Sequence, residues 1–186
     1  MKSIAAAIFL GLSGAAAAQP PAAGDAVLQT LAAGEAARGQ GDYAALLRAG
    51  QALRLLGAHP AEGEVDLAAE WTQEATGHGA TLPSDATYRG AALGPAYKRG
   101  ALAGGDSFSV KQLFLAGQPA RIAVAPVDGE AALSVSVKGM DGTTLCTKSI
   151  VGQGAECAWM PVFTDRYAIT IENEGPRPAA FFLTMK

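Results

Sequence analysis

A chain of 186 residues with a formal net charge of −3 suits one domain, or a small domain with an appendage. Its basic residues are scattered, which disfavours nucleic acid, because phosphate binding needs a clustered basic face. Much of the 49% hydrophobic content is alanine, so the apolar total overstates the core.

Residues 1–18 read as a cleavable secretory signal peptide. Lys2 is the only charge before Asp25, residues 4–12 form a short apolar run, and Ala15-Ala16-Ala17-Ala18 offers small residues to a signal peptidase. A membrane anchor needs about 20 apolar residues, and Gly11, Ser13 and Gly14 interrupt the run first. The only cysteines are Cys146 and Cys157, so none stands at the cleavage point to carry a lipid. The expected protein is periplasmic or secreted, starts at or near Gln19, and has no integral membrane segment after signal removal.

Residues 19–76 form a helical segment rich in Ala, Leu, Glu, Gln and Arg. Val27, Leu28, Leu31 and Ala32 recur at helical spacing until Gly39-Gln40-Gly41 breaks the pattern. Asp42 stands as an N-cap, and Tyr43, Leu46, Leu47, Gly50, Leu53 and Leu56 make one stripe on a second helix that Gly57 and Pro60 close. A third helix is expected over residues 62–76, burying Val65, Ala69 and Trp71. Residues 77–97 read as a connector, since His78, Pro83, Pro95 and several glycines and serines break any periodicity. The later residues are expected to fold without the helices.

From residue 98 to 186 the period falls from 3.6 to 2. Short β-branched and aromatic runs fall at 107–110, 120–125, 133–137, 144–147, 157–160, 167–171 and 181–185, separated by Gly-Gln-Pro, Asp-Gly and Gly-Pro turns. This is a mainly β chain, an antiparallel jelly-roll-like β-sandwich preceded by a short α-helical segment. Leu133, Val135 and Val137, with Tyr167, Ile169 and Ile171, should face the core, and Ser134, Ser136, Thr170 and Glu172 should face water.

Residues 115–186 resemble the bacterial pre-peptidase C-terminal domain, a β-sandwich found beside secreted peptidases and in small periplasmic proteins. The likeness rests on the apolar strand Leu133 to Val137, Asp141-Gly142, Trp159-Met160-Pro161, the Tyr167 to Ile171 strand, and Asn173-Glu174-Gly175. Gly94-Pro95-Ala96-Tyr97 and Gly104-Gly105-Asp106-Ser107-Phe108 resemble the module's first strands. Family members often carry an Asp-rich run where this chain has Ala131, Ala132 and Ser134. A hard cation needs about six oxygen ligands, so no metal is expected, although Asp128 and Asp141 stand on nearby turns.

Cys146 and Cys157, on consecutive expected strands of an exported chain, read as a structural disulfide stapling a hairpin across residues 152–154. They lack the Cys-x-x-Cys spacing of a redox pair. His59 and His78 have no partner at zinc-ligand spacing. A triad drawing on His78, Ser84 and Asp85 lacks a Gly-x-Ser-x-Gly elbow. Glu62 with Glu64, and Glu172 with Glu174, read as solvated pairs around a helix start and a turn rather than as glycosidase carboxylates. Trp159 is expected to pack against the disulfide, or to lie on the surface and stack on a sugar. Trp71 is expected to glue the helices to the sandwich.

No cofactor is implied. The leading reading is an exported non-catalytic binding or accessory module that recognises a protein or cell-envelope component. A carbohydrate-binding accessory domain and an unrecognised hydrolase are the alternatives.

Overall fold

The computed structural model describes residues 25–81, 94–127, 131–150, 152 and 154–186. The expected signal peptide, Ser84, Asp85 and Asp128 lie outside these residues.

Three short helices form because each has an aspartate cap and a face to bury. Asp25 caps α1 (Ala26–Gln40), accepting from Val27 N at 2.8 Å and Leu28 N at 3.3 Å. Gly41, at φ 70°, ends it in the left-handed conformation that glycine adopts without strain. Asp42 caps α2 (Tyr43–Leu55), and Asp66 caps α3 (Leu67–Gly77). The third helix therefore starts later than residue 62. A turn at Gly63 precedes it, Val65 is 62% exposed, Ala69 is exposed, and the buried set is Leu67, Ala68, Trp71 and Ala75.

A two-residue strand, β1 (His59–Pro60), pairs in parallel with the start of β2 (Ala96–Leu102). The remaining strands are β3 (Ser107–Phe114), β4 (Ala120–Pro126), β5 (Leu133–Lys138), β6 (Thr144–Ile150), β7 (Ala155–Trp159), β8 (Asp165–Asn173) and β9 (Ala179–Met185). They make a five-stranded sheet in the order β1-β2-β9-β4-β7 and a four-stranded sheet in the order β3-β8-β5-β6. Every pairing except β1 with β2 is antiparallel. β2 begins inside the expected connector, where Tyr97 turns into an apolar core.

The chain is mainly β, with two cores in three layers. Leu133, Val135, Val137, Tyr167, Ile169 and Ile171 meet Ile122, Val124, Phe181 and Leu183 between the sheets, as their alternation requires. The other face of the five-stranded sheet supplies Tyr97, Ala123, Ala125 and Phe182 to a second core closed by the helices. β4 and β9 are thus buried on both faces, which explains their nearly continuous apolar runs. Ser134, expected in water, is only 8% exposed. It stands on a central strand, paired with Ser149 on one side and Glu172 on the other.

Polar contacts fasten the helical layer to the sheet. The Tyr97 hydroxyl accepts from Leu67 N at 2.9 Å, and Thr184 Oγ1 donates to Asp25 Oδ2 at 2.7 Å. Arg99 pairs with Glu35 at 2.7 Å, and Lys98 pairs with Glu64. Arg38 joins α1 to α3 through Glu70 and Glu74.

Candidate functional site

The two cysteines form a disulfide with Cα atoms 5.9 Å apart. It is not the expected hairpin staple. Cys146 on β6 pairs with Val137 in the four-stranded sheet, and Cys157 on β7 pairs with Ile122 in the five-stranded sheet. The turn between β6 and β7 carries the chain from one sheet to the other, so the bridge clamps the two sheets at one edge.

Trp159 ends β7 opposite Ala120. It packs with Phe114 (ring centroids 4.9 Å, edge-on) and Tyr167 (5.3 Å, tilted). Phe114 and Tyr167 approach each other at 5.9 Å. This aromatic trio holds the half-buried Trp159 ring, which packs against the core that contains Cys157. Its Nε1 is buried and finds no acceptor among the described residues.

Phe114 and Trp159 line one end of a groove of about 1060 Å³, mostly apolar, whose walls include Val27, Pro119, Met160 and Met185. Beside it, the loop after β3 and the loop after β7 are tied together. Gly117 N donates to Pro161 O at 2.9 Å, and Ala116 N donates to Thr164 Oγ1 at 3.0 Å. These loops present Leu115, Met160, Val162 and Phe163 to solvent next to Leu113, with Val162 77% and Phe163 76% exposed. Single exposed apolar side chains are ordinary, but four on two joined loops, with Leu113 at the end of β3, make a patch of the kind that marks interaction sites. No periodicity flags these loop residues; only their tertiary proximity does.

Of the other residues singled out in the sequence, His59 also lines this groove, and the rest stand apart from it. Trp71 is fully buried among the helices, facing Gly34, where a Cβ would overlap its ring. It packs α3 onto α1. His78 stacks on Tyr43 with ring centroids 3.9 Å apart, and the His59 ring lies 3.2 Å from Pro60 O through Nδ1. Glu64 is bound to Lys98, while Glu62, Glu172 and Glu174 are exposed. Asp141 accepts from Thr143 Oγ1 at 2.7 Å and from Thr143 N at 2.9 Å, bonds that hold its carboxyl below the usual range. Among the described residues no three His, Cys, Asp or Glu side chains are grouped to hold a metal ion, and no helix is long and apolar enough to cross a membrane.

No protein-family model and no curated protein sequence matches the chain. Solved structures do. The pre-peptidase C-terminal domain of a collagenase from Bacillus anthracis is similar over 50% of this chain and 89% of that one, at 13% identity and a TM-score of 0.44. The Yersinia pseudotuberculosis-derived mitogen is similar over 50% and 84%, at 11% identity and a TM-score of 0.44. A periplasmic inhibitor of g-type lysozyme from Aeromonas hydrophila is similar over 50% and 86%, at 13% identity and a TM-score of 0.36. The chain is similar to the pre-peptidase C-terminal domain in fold, as its residues suggest, and the likeness reaches no further than the fold.

Proposed function

We propose that this chain is an exported, non-catalytic binding module that recognises a protein partner through the apolar end of its sandwich. The observation that carries the reading is the joined pair of loops bearing Leu115, Met160, Val162 and Phe163 beside the Trp159 groove. Aliphatic and aromatic side chains held out on tethered loops gain most by burial, at about 25 cal/mol per Å² of apolar surface removed from water. Their chemistry matches a partner segment carrying apolar side chains. Export is supported by the pattern of residues 1–18 and by the disulfide, which persists in oxidising compartments. The non-catalytic part rests on the candidate acids and histidines, which do not converge on the groove as a set.

A carbohydrate ligand is the second reading, carried by Trp159 alone. Its ring is committed to Phe114 and Tyr167 and half-buried, which suits a floor better than an open stacking platform.

The test compares the wild-type mature protein with the Val162→Asp/Phe163→Asp double variant in capture from an envelope extract, after checking that both melt alike. A protein retained by the wild type and lost from the variant supports the proposal. Retention by both variants, or retention of a polysaccharide that Trp159→Ala abolishes, contradicts it.

A further inference from the structure

Sheet edges are the fold's remaining source of unused hydrogen bonds, because an edge strand turns one row of backbone groups away from its only neighbour. Among the described residues, β1 covers only Ala96 and Tyr97 of β2, and the Cys146–Cys157 bridge between the edge strands β6 and β7 pairs none of their outer backbone groups. β3 is the longest of these edges. It pairs with β8 along all of Ser107–Phe114, and among the described residues no strand flanks its other side.

The register fixes which groups are free. Asn173 N donates to Asp106 O at 2.9 Å, directly before the first pair, Ser107 with Glu172. Antiparallel ladders alternate between bonded and non-bonded pairs. Phe108, Val110, Gln112 and Phe114 therefore turn their backbone groups to β8, and Ser107, Ser109, Lys111 and Leu113 turn theirs outward. The side chains follow the same alternation. Phe108 and Val110 point into the sandwich but stay only half-buried, with Lys98 Nζ 5.2 Å from the Phe108 ring centroid, while Ser109 and Lys111 are exposed. Lys111 has no ion pair among the described residues.

We propose that β3 is a docking edge that accepts an extended peptide of the partner as an added strand. The proposal rests on the protein-recognition reading above and deepens it by naming the binding mode. The chemistry of the occupant follows from the edge. Its inward residues are apolar, to cover Phe108 and Val110, and one outward residue is acidic, to meet Lys111. A second copy of β3 is a poorer occupant, because Ser107–Phe114 contains no carboxylate to answer Lys111. The edge ends at Leu113, where the apolar patch begins, so a peptide lying along β3 runs onto the patch.

The experiment measures amide hydrogen exchange on the full mature protein with synthetic probes. One is a short peptide alternating valine and serine with a central aspartate; a second has lysine in place of aspartate; a third has a proline at its centre. The aspartate probe is expected to slow exchange at Ser109 and Lys111 by about tenfold or more, since those amides become hydrogen-bonded. The proline probe is expected to leave them unchanged. Ser109→Pro removes an outward N–H at an edge position where proline is tolerated, and should abolish the slowing at Lys111 with an unchanged melting temperature. Should that variant melt early, Lys111→Glu gives the independent arm. It should weaken the aspartate probe by about five- to tenfold and strengthen the lysine probe, as cross-strand charge pairs do.

Slowing confined to residues 115–119 and 160–164 would overturn the docking edge while leaving the apolar-end reading intact. Slowing that grows with protein concentration without any probe would assign the edge to a second copy and overturn the proposal. No response to any probe would overturn it also.

Discussion

Cys146 and Cys157 sit 5.9 Å apart at Cα yet belong to different sheets, each hydrogen-bonded to neighbours the other never meets. The covalent link therefore joins the two halves of the main core at the edge where β6 and β7 run past one another.

Replacing both cysteines with serine is expected to lower unfolding stability by about 2–4 kcal/mol. Denaturant titration measures the loss, and faster amide exchange at both β6 and β7 distinguishes a clamp between sheets from a hairpin staple. Thiol labelling of the native oxidised protein should find no free cysteine, in keeping with the observed bridge.

A chain starting at Gly94 should not behave as a native sandwich. It would expose Tyr97, Ala123, Ala125 and Phe182, all buried in the core shared with the helices. Strong binding of a hydrophobic dye and loss of a sharp melting transition are expected. A monomer of that truncated chain with a cooperative transition and no dye binding would show that the helical layer is dispensable.

Tyr97 ties the start of α3 to β2, and burial pushes its hydroxyl up to about 12. The folded value lies above the ordinary value of about 10. Its contribution is thus fully present below about pH 10 and is lost as the pH rises through about 12. Tyr97→Phe should remove that alkaline dependence. It should also destabilise the protein by about 1–3 kcal/mol at neutral pH, because the buried Leu67 N–H loses its acceptor. Ultraviolet titration of phenolate and denaturant melts at pH 7 and pH 11 check both parts.

Gly34→Ala sets helix propensity against packing. Alanine in a helix is worth about 1 kcal/mol over glycine, but a Cβ here would overlap the Trp71 ring. Overpacking of a filled core costs about 1–3 kcal/mol, so a net destabilisation is expected. A stabilised variant in denaturant titration would mean that Trp71 has room to move.

The strands facing one core were legible because single-sided burial leaves a period of two, as in Leu133, Val135 and Val137. The second core was written more faintly. Ile122 to Ala125 and Phe181 to Leu183 are apolar on both faces, a run that periodicity alone cannot tell from a buried helix. The disulfide pairing was legible, but its geometry was not, since adjacency in sequence suggests a hairpin and only the sheet order shows the crossing. α3 was misplaced because Val65 imitates an apolar helix position ahead of the Asp66 cap. Of the candidate site, Trp159 stood out by type, whereas Leu115, Val162 and Phe163 are loop residues with no pattern until Gly117 and Pro161 bring their loops together.

The most direct measurement places the photo-crosslinking residue p-benzoylphenylalanine at position 163, in the living source cell, with Lys148 on β6 substituted likewise as a control. The account predicts a discrete adduct with another protein from position 163 and none from position 148. No adduct at 163, or the same adducts from both positions, would contradict recognition of a partner through the apolar end.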